Sequence, residues 1–237
     1  MVTQMRSLGP VTDETWQQWF EAAWAVREEE VYPSLFGPHA PTIAVLTAHL
    51  FQNTFKQENV DPRWLHSGVF EVPPNASRAS WLYVSSGLSN AWEDESPDPT
   101  GPSGLGMEFV LQTPRREEWA IDRLAHVVAF QILISCGKYA GRDLLDLHDR
   151  IPLRCPISAE PSELTWLTVG PPDGLPPSFQ LPTGSVDILT IVGITETEAA
   201  HARAHGGDKL LEILRSAGAF PVTDSKRPSL VTPSTTG

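Results

Sequence analysis

A nearly continuous run of valine, leucine and isoleucine lies between Val186 and Ile194. A strand without polar alternation is typical of the centre of a sheet that is covered on both faces. The residues that follow, Thr195 to Glu198, match a capping box, in which a hydroxyl and a carboxylate bind the free amides at a helix start. The run therefore predicts a layered fold in which helices flank a sheet.

Hydrophobic spacing along the rest of the chain predicts the other elements. The expected fold class is α+β, an α/β/α-type sandwich whose mixed, largely antiparallel sheet is flanked by helices. Residues 87–106 are expected to form a loop, and residues 150–182 a proline-rich, ordered arm. The predicted helices are Thr12 to about Glu30, with Thr12 or Asp13 as N-cap, Arg116–Cys136 and Asp208–Ser216. The predicted strands are Ile43–Phe51, Trp64–Val72, Trp81–Ser86, Met107–Gln112 and Leu164–Val169.

Length and composition predict one globular domain. We expect it to span residues 12–225, between an N-terminal tail at 1–11 and a disordered C-terminal tail at 226–237. No apolar run approaches the roughly 18 residues that a membrane span needs, and residues 1–10 lack the apolar core of a signal peptide. A cytoplasmic location without membrane contact is expected, and Cys136 and Cys155 are expected to be reduced thiols.

The charge balance restricts the class of partner. The chain has 17 basic and 29 acidic residues and a formal net charge of −12. A field of this sign repels nucleic-acid phosphates and anionic lipids. Nucleic acid and membrane are therefore excluded as first expectations, and a basic protein is favoured.

The glycine cluster Gly101, Gly104 and Gly106 does not match a phosphate-binding loop. It precedes a strand rather than a helix, and no Lys-Ser/Thr pair follows it. Ser103 does not match a nucleophile elbow either, because Leu105 stands where the second glycine belongs. The cluster predicts tight turn geometry at a strand entry.

The histidine and cysteine motifs are incomplete as metal or catalytic sites. His201 and His205 have i, i+4 spacing, but Ala202 stands where a zincin has glutamate. His126 and Cys136 are ten residues apart on one predicted helix, which is about 15 Å along its axis. We expect no catalytic residue, metal or cofactor, and so no enzyme. The alternatives left open are an acid–base group at Asp143, Asp146, His148 and Asp149, and a pocket where Cys136, His126, His148 or Ser103 converges with a base or a metal.

The first predicted helix carries an aromatic face. Trp16, Trp19, Phe20, Ala23 and Trp24 follow the i, i+3, i+4, i+7, i+8 spacing of one helix side. Exposed aromatic side chains forgo roughly 1.5–3 kcal/mol each, which favours burial of the whole face in the core. The alternative is an exposed aromatic stripe for a partner.

An acidic segment inside the predicted loop is the candidate interface. Trp92 stands directly before three acidic residues, and an aromatic anchor surrounded by charge is typical of a protein interface. A loop tryptophan that folds back into the core is the alternative. The candidate interface residues are Trp92, Glu93, Asp94, Glu95, Asp98 and Thr100.

Several blocks together resemble the suppressor of fused domain, in the order of that family and over about residues 64–230. The resemblance implies an α/β sandwich that binds another protein. The blocks are Trp81-Leu-Tyr-Val-Ser-Ser-Gly-Leu-Ser89, Thr100-Gly-Pro-Ser-Gly-Leu-Gly-Met-Glu-Phe109, Val186 to Glu198 and Gly207-Asp-Lys-Leu-Leu-Glu-Ile-Leu214.

The resemblance implies two kinds of function. In the animal proteins this domain is the N-terminal half and helps to grip a short peptide of Gli-type transcription factors. Trp92 stands where they have a peptide-contacting tyrosine, whereas Thr100 replaces a peptide-contacting aspartate and the loop is shorter. Stand-alone bacterial members, which this chain is expected to resemble, are proposed to be immunity proteins of polymorphic toxin systems. The expected function is therefore binding and neutralising a basic toxin domain, and the alternative is an adaptor that holds an extended peptide.

Overall fold

The computed structural model describes residues 13–40, 42–91 and 98–232, with side chains described from residue 17 onward. The tail predicted at residues 1–11 lies outside these ranges. The helices are α1 (Asp13–Ala25), a π-helical segment (Val26–Val31), α2 (Tyr32–Phe36), a second π-helical segment (Leu50–Thr54), a 3₁₀ turn (Pro62–His66), α3 (Glu118–Ser135), α4 (Glu196–His205) and α5 (Gly207–Ser216). The strands are β1 (Ala44–Val45), β2 (Gly68–Val72), β3 (Trp81–Ser86), β4 (Pro102–Thr113), β5 (Arg150–Pro152), β6 (Leu164–Gly170), β7 (Ser178–Leu181) and β8 (Gly184–Thr195).

The strands form one mixed sheet in the order β1-β2-β3-β4-β8-β6-β5, and β7 pairs with the start of β8. β4 and β8 run parallel, whereas the other strand pairs are antiparallel. This arrangement confirms the predicted α+β class with a mixed, largely antiparallel sheet.

The central strand β8 is covered on both faces, as its sequence predicts. Leu189 and Ile191 pack in the cluster that contains the apolar side of α3. The alternate side chains Val186, Ile188 and Val192 pack toward α1, α2 and the α4–α5 pair, respectively. Helices therefore lie on both faces of the sheet because β8 needs apolar cover on each side.

The capping box at the end of β8 is present and anchors the C-terminal arm. The Thr195 Oγ1 atom accepts from the Glu198 amide at 3.1 Å, and Glu198 Oε2 accepts from the Thr195 amide at 2.8 Å. Arg227 donates to both carboxylate oxygens of Glu198 at 2.6 and 2.7 Å, and the Leu230 amide donates at 2.9 Å. Arg227 and Leu230, in the tail predicted to be disordered, thus contact α4. Residues 233–237 lie outside the described ranges.

The predicted strand Ile43–Phe51 is wrong. Only Ala44–Val45 is a strand, and the chain becomes helical before Leu50–Thr54. Phe51 is buried and stacks near Trp64 with ring centroids 5.1 Å apart. A short apolar run has no period that separates a strand from a buried helical turn, so its tertiary contacts decided the outcome.

The aromatic face of α1 is only partly buried, which corrects the prediction of full burial. Ala23 is buried, Trp19 and Phe20 are half-buried, and Trp24 is 40% exposed. The side chain of Trp16 lies outside the described residues. α1 sits at the end of the sheet beside β7 and the start of β8, where Ala23 packs with Leu181 and Val186. This site covers one narrow stripe of the helix rather than its whole aromatic side.

Candidate protein-binding surface

The turn at the end of β3 leads directly into the acidic segment, and it is fully enclosed. β3 pairs with β4 only as far as Val84. Beyond this point the Ser85 hydroxyl replaces a backbone partner and accepts from the Phe109 amide at 2.7 Å. The Ser85 carbonyl in turn accepts from the Tyr32 hydroxyl at 2.6 Å. The two strands therefore separate at Ser85, and side chains fill the gap.

Glu108 fills this gap with a buried carboxylate that is 1% exposed. Its Oε1 atom accepts from the amides of Gly87 and Ser89, each at 2.9 Å, and from the Ser89 hydroxyl at 2.6 Å. Its Oε2 atom accepts from the Ser85 hydroxyl at 2.5 Å. Four donors satisfy the buried charge and hold the turn in one conformation.

Arg27 holds the same turn from the other side. Its guanidinium is fully buried, and Nη1 donates to Ser89 Oγ at 3.0 Å and to Asn90 Oδ1 at 2.7 Å. The Nη2 atom binds Glu28 Oε1 at 3.1 Å, and Ser86 Oγ donates to that same oxygen at 2.5 Å. We call Arg27, Ser85, Ser89, Asn90 and Glu108 the anchor network.

The anchor network also acts on its surroundings electrostatically. Burial, followed by the charge of Glu108, raises the pKa of Tyr32 well above its usual value of 10.0, although the Arg27 charge acts in the opposite direction. Tyr32 therefore stays a neutral hydrogen-bond donor to the Ser85 carbonyl. The network holds the turn through hydrogen bonds that involve Arg27, Ser85 and Glu108.

The start of β4 closes over the turn, and this requires glycine. The Ser103 hydroxyl donates to the Ser89 carbonyl at 2.7 Å, and the Leu105 amide donates to the Leu88 carbonyl at 2.8 Å. Gly104 has φ +56°, and a Cβ atom there would lie 2.2 Å from the Asn90 carbonyl oxygen. β4 thus begins at Pro102 rather than at the predicted Met107, because Pro102 pairs with Ser185 of β8 across a bulge.

The far end of the acidic segment is fixed as well. Asp98 Oδ1 accepts from the amide and the hydroxyl of Thr100 at 2.9 and 2.7 Å. These bonds lower the pKa of the exposed Asp98 carboxyl, the bond from the Thr100 hydroxyl most strongly. Gln180 Nε2 donates to the Pro99 carbonyl at 2.8 Å, which ties this end to β7. Both ends of the segment are therefore held on the sheet.

The structure places the predicted interface residues as follows. Asp98 and Thr100 are exposed and adjacent, in the turn just described. Trp92, Glu93, Asp94 and Glu95 lie outside the described residues, so the prediction that they form an interface stays a prediction. We call residues 92–100 the acidic loop.

The structure does not bring together the four side chains of the alternative catalytic pocket, which are Ser103, His126, Cys136 and His148. Ser103 is buried against Ser89 and Thr183, with its Oγ 2.6 Å from Thr183 Oγ1. His126 Nδ1 lies 2.7 Å from the Asp122 carbonyl oxygen, and His148 Nε2 lies 3.2 Å from Asp208 Oδ1. Cys136 is exposed at the end of α3. Each side chain has different partners within the described residues.

The candidate metal ligands His201 and His205 lie together but without a third ligand among the described residues. His201 and His205 lie side by side on α4, with ring centroids 4.4 Å apart. Among the described residues, no three His, Cys, Asp or Glu side chains form a group that could hold a metal ion. Cys136 and Cys155 are both free thiols.

The anchor residues Arg27 and Glu108 are absent from the sequence-based candidates. Glu108 alternates with Met107 and Phe109 in a pattern that is typical of a half-buried strand, yet Glu108 itself is buried. One available signal was Val110, an apolar residue two positions later on the same face as Glu108. Arg27 had a similar signal, since it continues the apolar spacing of Phe20 and Ala23 from α1 into the π-helical segment.

Comparison with protein families matches residues 63–228 to the family described as Suppressor of fused protein (SUFU). This match covers more than half of the 237 residues. This chain belongs to the suppressor of fused family. The match begins after Arg27, so the anchor network of this family member includes a residue from outside the matched range.

Two curated suppressor of fused homologues are similar in sequence. The human protein is 27% identical over 161 residues, which cover 62% of this chain and 32% of the human protein. The mouse protein is 26% identical over 161 residues, with the same coverage of 62% and 32%. The chain thus spans about a third of the length of these suppressor of fused relatives.

Solved structures of the family share the fold. The crystal structure of the Sufu–Fu complex has a TM-score of 0.62 at 20% identity, covering 90% of this chain and 92% of that one. A proposed suppressor of fused homologue from Neisseria gonorrhoeae has a TM-score of 0.60 at 18% identity. The match covers 91% of this chain and 98% of that one. Drosophila Suppressor of Fused has a TM-score of 0.54 at 22% identity. The match covers 69% of this chain and 42% of that one.

In the described part of this chain, no helix has the length and apolar character of a membrane span.

Proposed function

We propose that this suppressor of fused domain is a non-enzymatic, cytoplasmic protein that binds a basic partner protein through its acidic loop. The finer proposal is an immunity-type function, in which the partner is a toxin domain that the bound loop neutralises. One observation carries the proposal. The acidic loop leaves the sheet from a turn held by the buried Arg27 and Glu108 side chains.

A rigid base lowers the entropic cost of binding through a loop. Interface residues that are already positioned lose less conformational freedom when the partner arrives. Asn90 and Ala91 are buried at one end of the loop, and the Asp98–Thr100 turn fixes the other. A buried, hydrogen-bonded clamp on the turn that precedes an acidic segment is therefore consistent with a recognition loop.

The charge of the chain supports a basic partner. The formal net charge is −12, and four carboxylates lie between residues 93 and 98. Complementary charge accelerates association and discriminates against acidic and nucleic-acid partners. A basic toxin such as a nuclease would be both attracted and masked.

The test is affinity capture of the partner from the organism's own lysate and culture at low and moderate salt. The comparison uses the native chain, the variant Trp92→Ala with Glu93→Lys, and the control Leu147→Ala with Asp146→Lys. We expect one dominant basic protein, lost in the loop variant, kept in the control and weakened by salt. A dominant partner that is captured equally by the native chain and the loop variant, and equally at both salt concentrations, would overturn the acidic-loop proposal.

A second candidate function is an adaptor that holds an extended peptide of a partner protein. The Sufu–Fu complex favours this function, since in it a protein of matching fold forms a complex with a second protein. Sheet edges commonly bind such peptides by adding a strand. Several weak partners in the same capture, in place of one dominant protein, would favour this function. If the captured partner is a toxin, its inhibition by the purified chain would favour the immunity function.

A further inference from the structure

The outer side of α1 carries an exposed tryptophan. Trp24 is 40% exposed, and Gln17, Glu21 and Ala22 on the same helix are exposed as well. Large aromatic side chains are enriched as anchors in protein interfaces, where burial on binding recovers the stabilisation that is missing in the free protein. This side of α1 is therefore a helix face without cover from the described residues.

The charge around Trp24 has one sign. Glu21 lies one turn before Trp24, and Glu29 and Glu30 are exposed in the next turns. The described side chains from residue 17 to residue 36 include one cation, Arg27, which is fully buried and paired with Glu28. The segment therefore presents carboxylates to solvent beside an indole and supplies no exposed cation of its own.

Elsewhere in the chain, a tryptophan and a glutamate side chain together contact a cation. The Arg203 guanidinium lies over the Trp166 ring, 5.4 Å from its centroid. Glu196 completes this group, since its carboxylate lies 3.9 Å from Arg203 and accepts from the Trp166 indole at 3.0 Å. Trp24 and Glu21 offer the same two chemical groups without the cation.

We infer that the exposed surface formed by Glu21 and Trp24 of α1, together with Glu29 and Glu30 of the π-helical segment that follows it, docks a lysine- or arginine-rich segment of the partner protein. A cation of that segment lies over the Trp24 indole, and the three carboxylates pair with its neighbours. The inference rests on the proposed function, because it extends the surface for a basic partner beyond the acidic loop. Arg27, one turn after Trp24, binds Asn90, which lies two residues before the acidic loop in the sequence.

The test measures binding of a fluorescein-labelled synthetic peptide of alternating arginine, lysine and glycine by fluorescence anisotropy at low ionic strength. A peptide of the same length with glutamate in place of the cations is the ligand control. The variants are Trp24→Ala, Trp24→Phe and Glu21→Gln. Leu147→Ala is the matched control, because Leu147 is 42% exposed on a different segment. Thermal unfolding checks that each variant is folded.

We expect Trp24→Ala to weaken binding of the cationic peptide about two- to fivefold, the range of an exposed cation–π contact. Trp24→Phe retains part of this affinity, Glu21→Gln weakens binding most at low salt, and Leu147→Ala changes nothing. A folded Trp24→Ala variant that binds as tightly as the native chain would overturn the inference, as would absence of peptide binding by the native chain.

The same variants separate this inference from the proposed function. In the affinity capture, a partner that is lost with the loop variant but kept with Trp24→Ala would leave the proposed function standing and remove α1 from the surface. A partner that is indifferent to the loop variant but lost with Trp24→Ala would support the α1 face and overturn the acidic loop.

Discussion

The Nη1 atom of Arg27 lies 2.7 Å from Oδ1 of Asn90, a bond between residues 63 positions apart. It connects the helical segment after α1 to the end of the turn that precedes the acidic loop. Both side chains are buried, and Arg27 is completely so. The base of the loop is therefore set by a residue outside the part of the chain that matches the suppressor of fused family.

Replacement of Arg27 by methionine should destabilise the protein strongly. The substitution keeps the apolar stem but leaves the buried Glu28 carboxylate without its cation, and Ser89 and Asn90 without a donor. We expect the free energy of unfolding to fall by about 3–5 kcal/mol, as for other broken buried pairs. Urea denaturation measures it.

Two variants control for this effect. Lys209→Met removes a cation from the exposed Lys209–Glu212 pair and should cost less than about 1 kcal/mol. Arg27→Met combined with Glu28→Gln should cost less than the sum of the single changes, because the pair is coupled. A loss for Arg27→Met no larger than for Lys209→Met would contradict a structural function of the buried pair.

Glu108→Gln should loosen the turn before the acidic loop. An amide cannot accept all the donors that the carboxylate binds, and its own NH₂ group would face the hydroxyl or amide donors of Ser85, Gly87 and Ser89. We expect a loss of about 1–3 kcal/mol in the free energy of unfolding. Hydrogen exchange at the Gly87 and Ser89 amides should accelerate.

The exposed change Glu212→Gln is the matched control for Glu108→Gln. It alters a surface carboxylate of α5 and should leave both the stability and the exchange of the Gly87 amide as they are. Unchanged exchange at Gly87 and Ser89 in a folded Glu108→Gln variant would show that the carboxylate does not hold the turn.

Gly104→Ala should be more damaging than Gly137→Ala. Both glycines have positive φ, at +56° and +75°, so alanine is strained in each. A Cβ atom at Gly104 would lie 2.2 Å from the Asn90 carbonyl oxygen, whereas one at Gly137 meets nothing within 4 Å. We expect Gly104→Ala to cost about 1–3 kcal/mol more, as overpacking does. Equal melting temperatures would exclude close packing over the turn.

The Glu198–Arg227 pair should make stability depend on acid. Burial alone would raise the pKa of Glu198, but hydrogen bonds and charge from Arg227, with the Thr195 and Leu230 amides, lower it below the usual 4.5. A carboxyl with a lowered pKa in the folded state stabilises the protein above its unfolded pKa. This contribution is lost as the pH falls through the folded pKa.

The measurement for Glu198 is denaturation at several pH values between neutral and strongly acidic. The native chain should lose stability below pH 4.5, the ordinary value for Glu198, and Glu198→Gln should be less stable at neutral pH with a shallower acid dependence. Arg227→Gln should flatten the same part of the profile. Parallel profiles for the native chain and Glu198→Gln would rule out this linkage.

The elements that sequence alone determined depend on neighbouring residues. The apolar run of β8, the Thr195–Glu198 capping box and the helical spacing of α3 are periodic or adjacent patterns. Their physical cause is local, since backbone period and helix capping act within a few residues. The combination of the four sequence blocks at residues 81–89, 100–109, 186–198 and 207–214 likewise indicated the family.

Tertiary structure decided the rest, because burial depends on which distant segments meet. Residues 50–54 are helical, and Phe51 in this segment contacts Trp64. Trp24 is exposed because the side of α1 that carries Ala23, rather than the side that carries Trp24, contacts β7 and β8. Glu108 is buried although it is charged, because Ser85, Gly87 and Ser89 of another strand and turn supply its donors. A buried charge is stable only where folding brings its partners together, and this pairing is set by strand register rather than by local sequence.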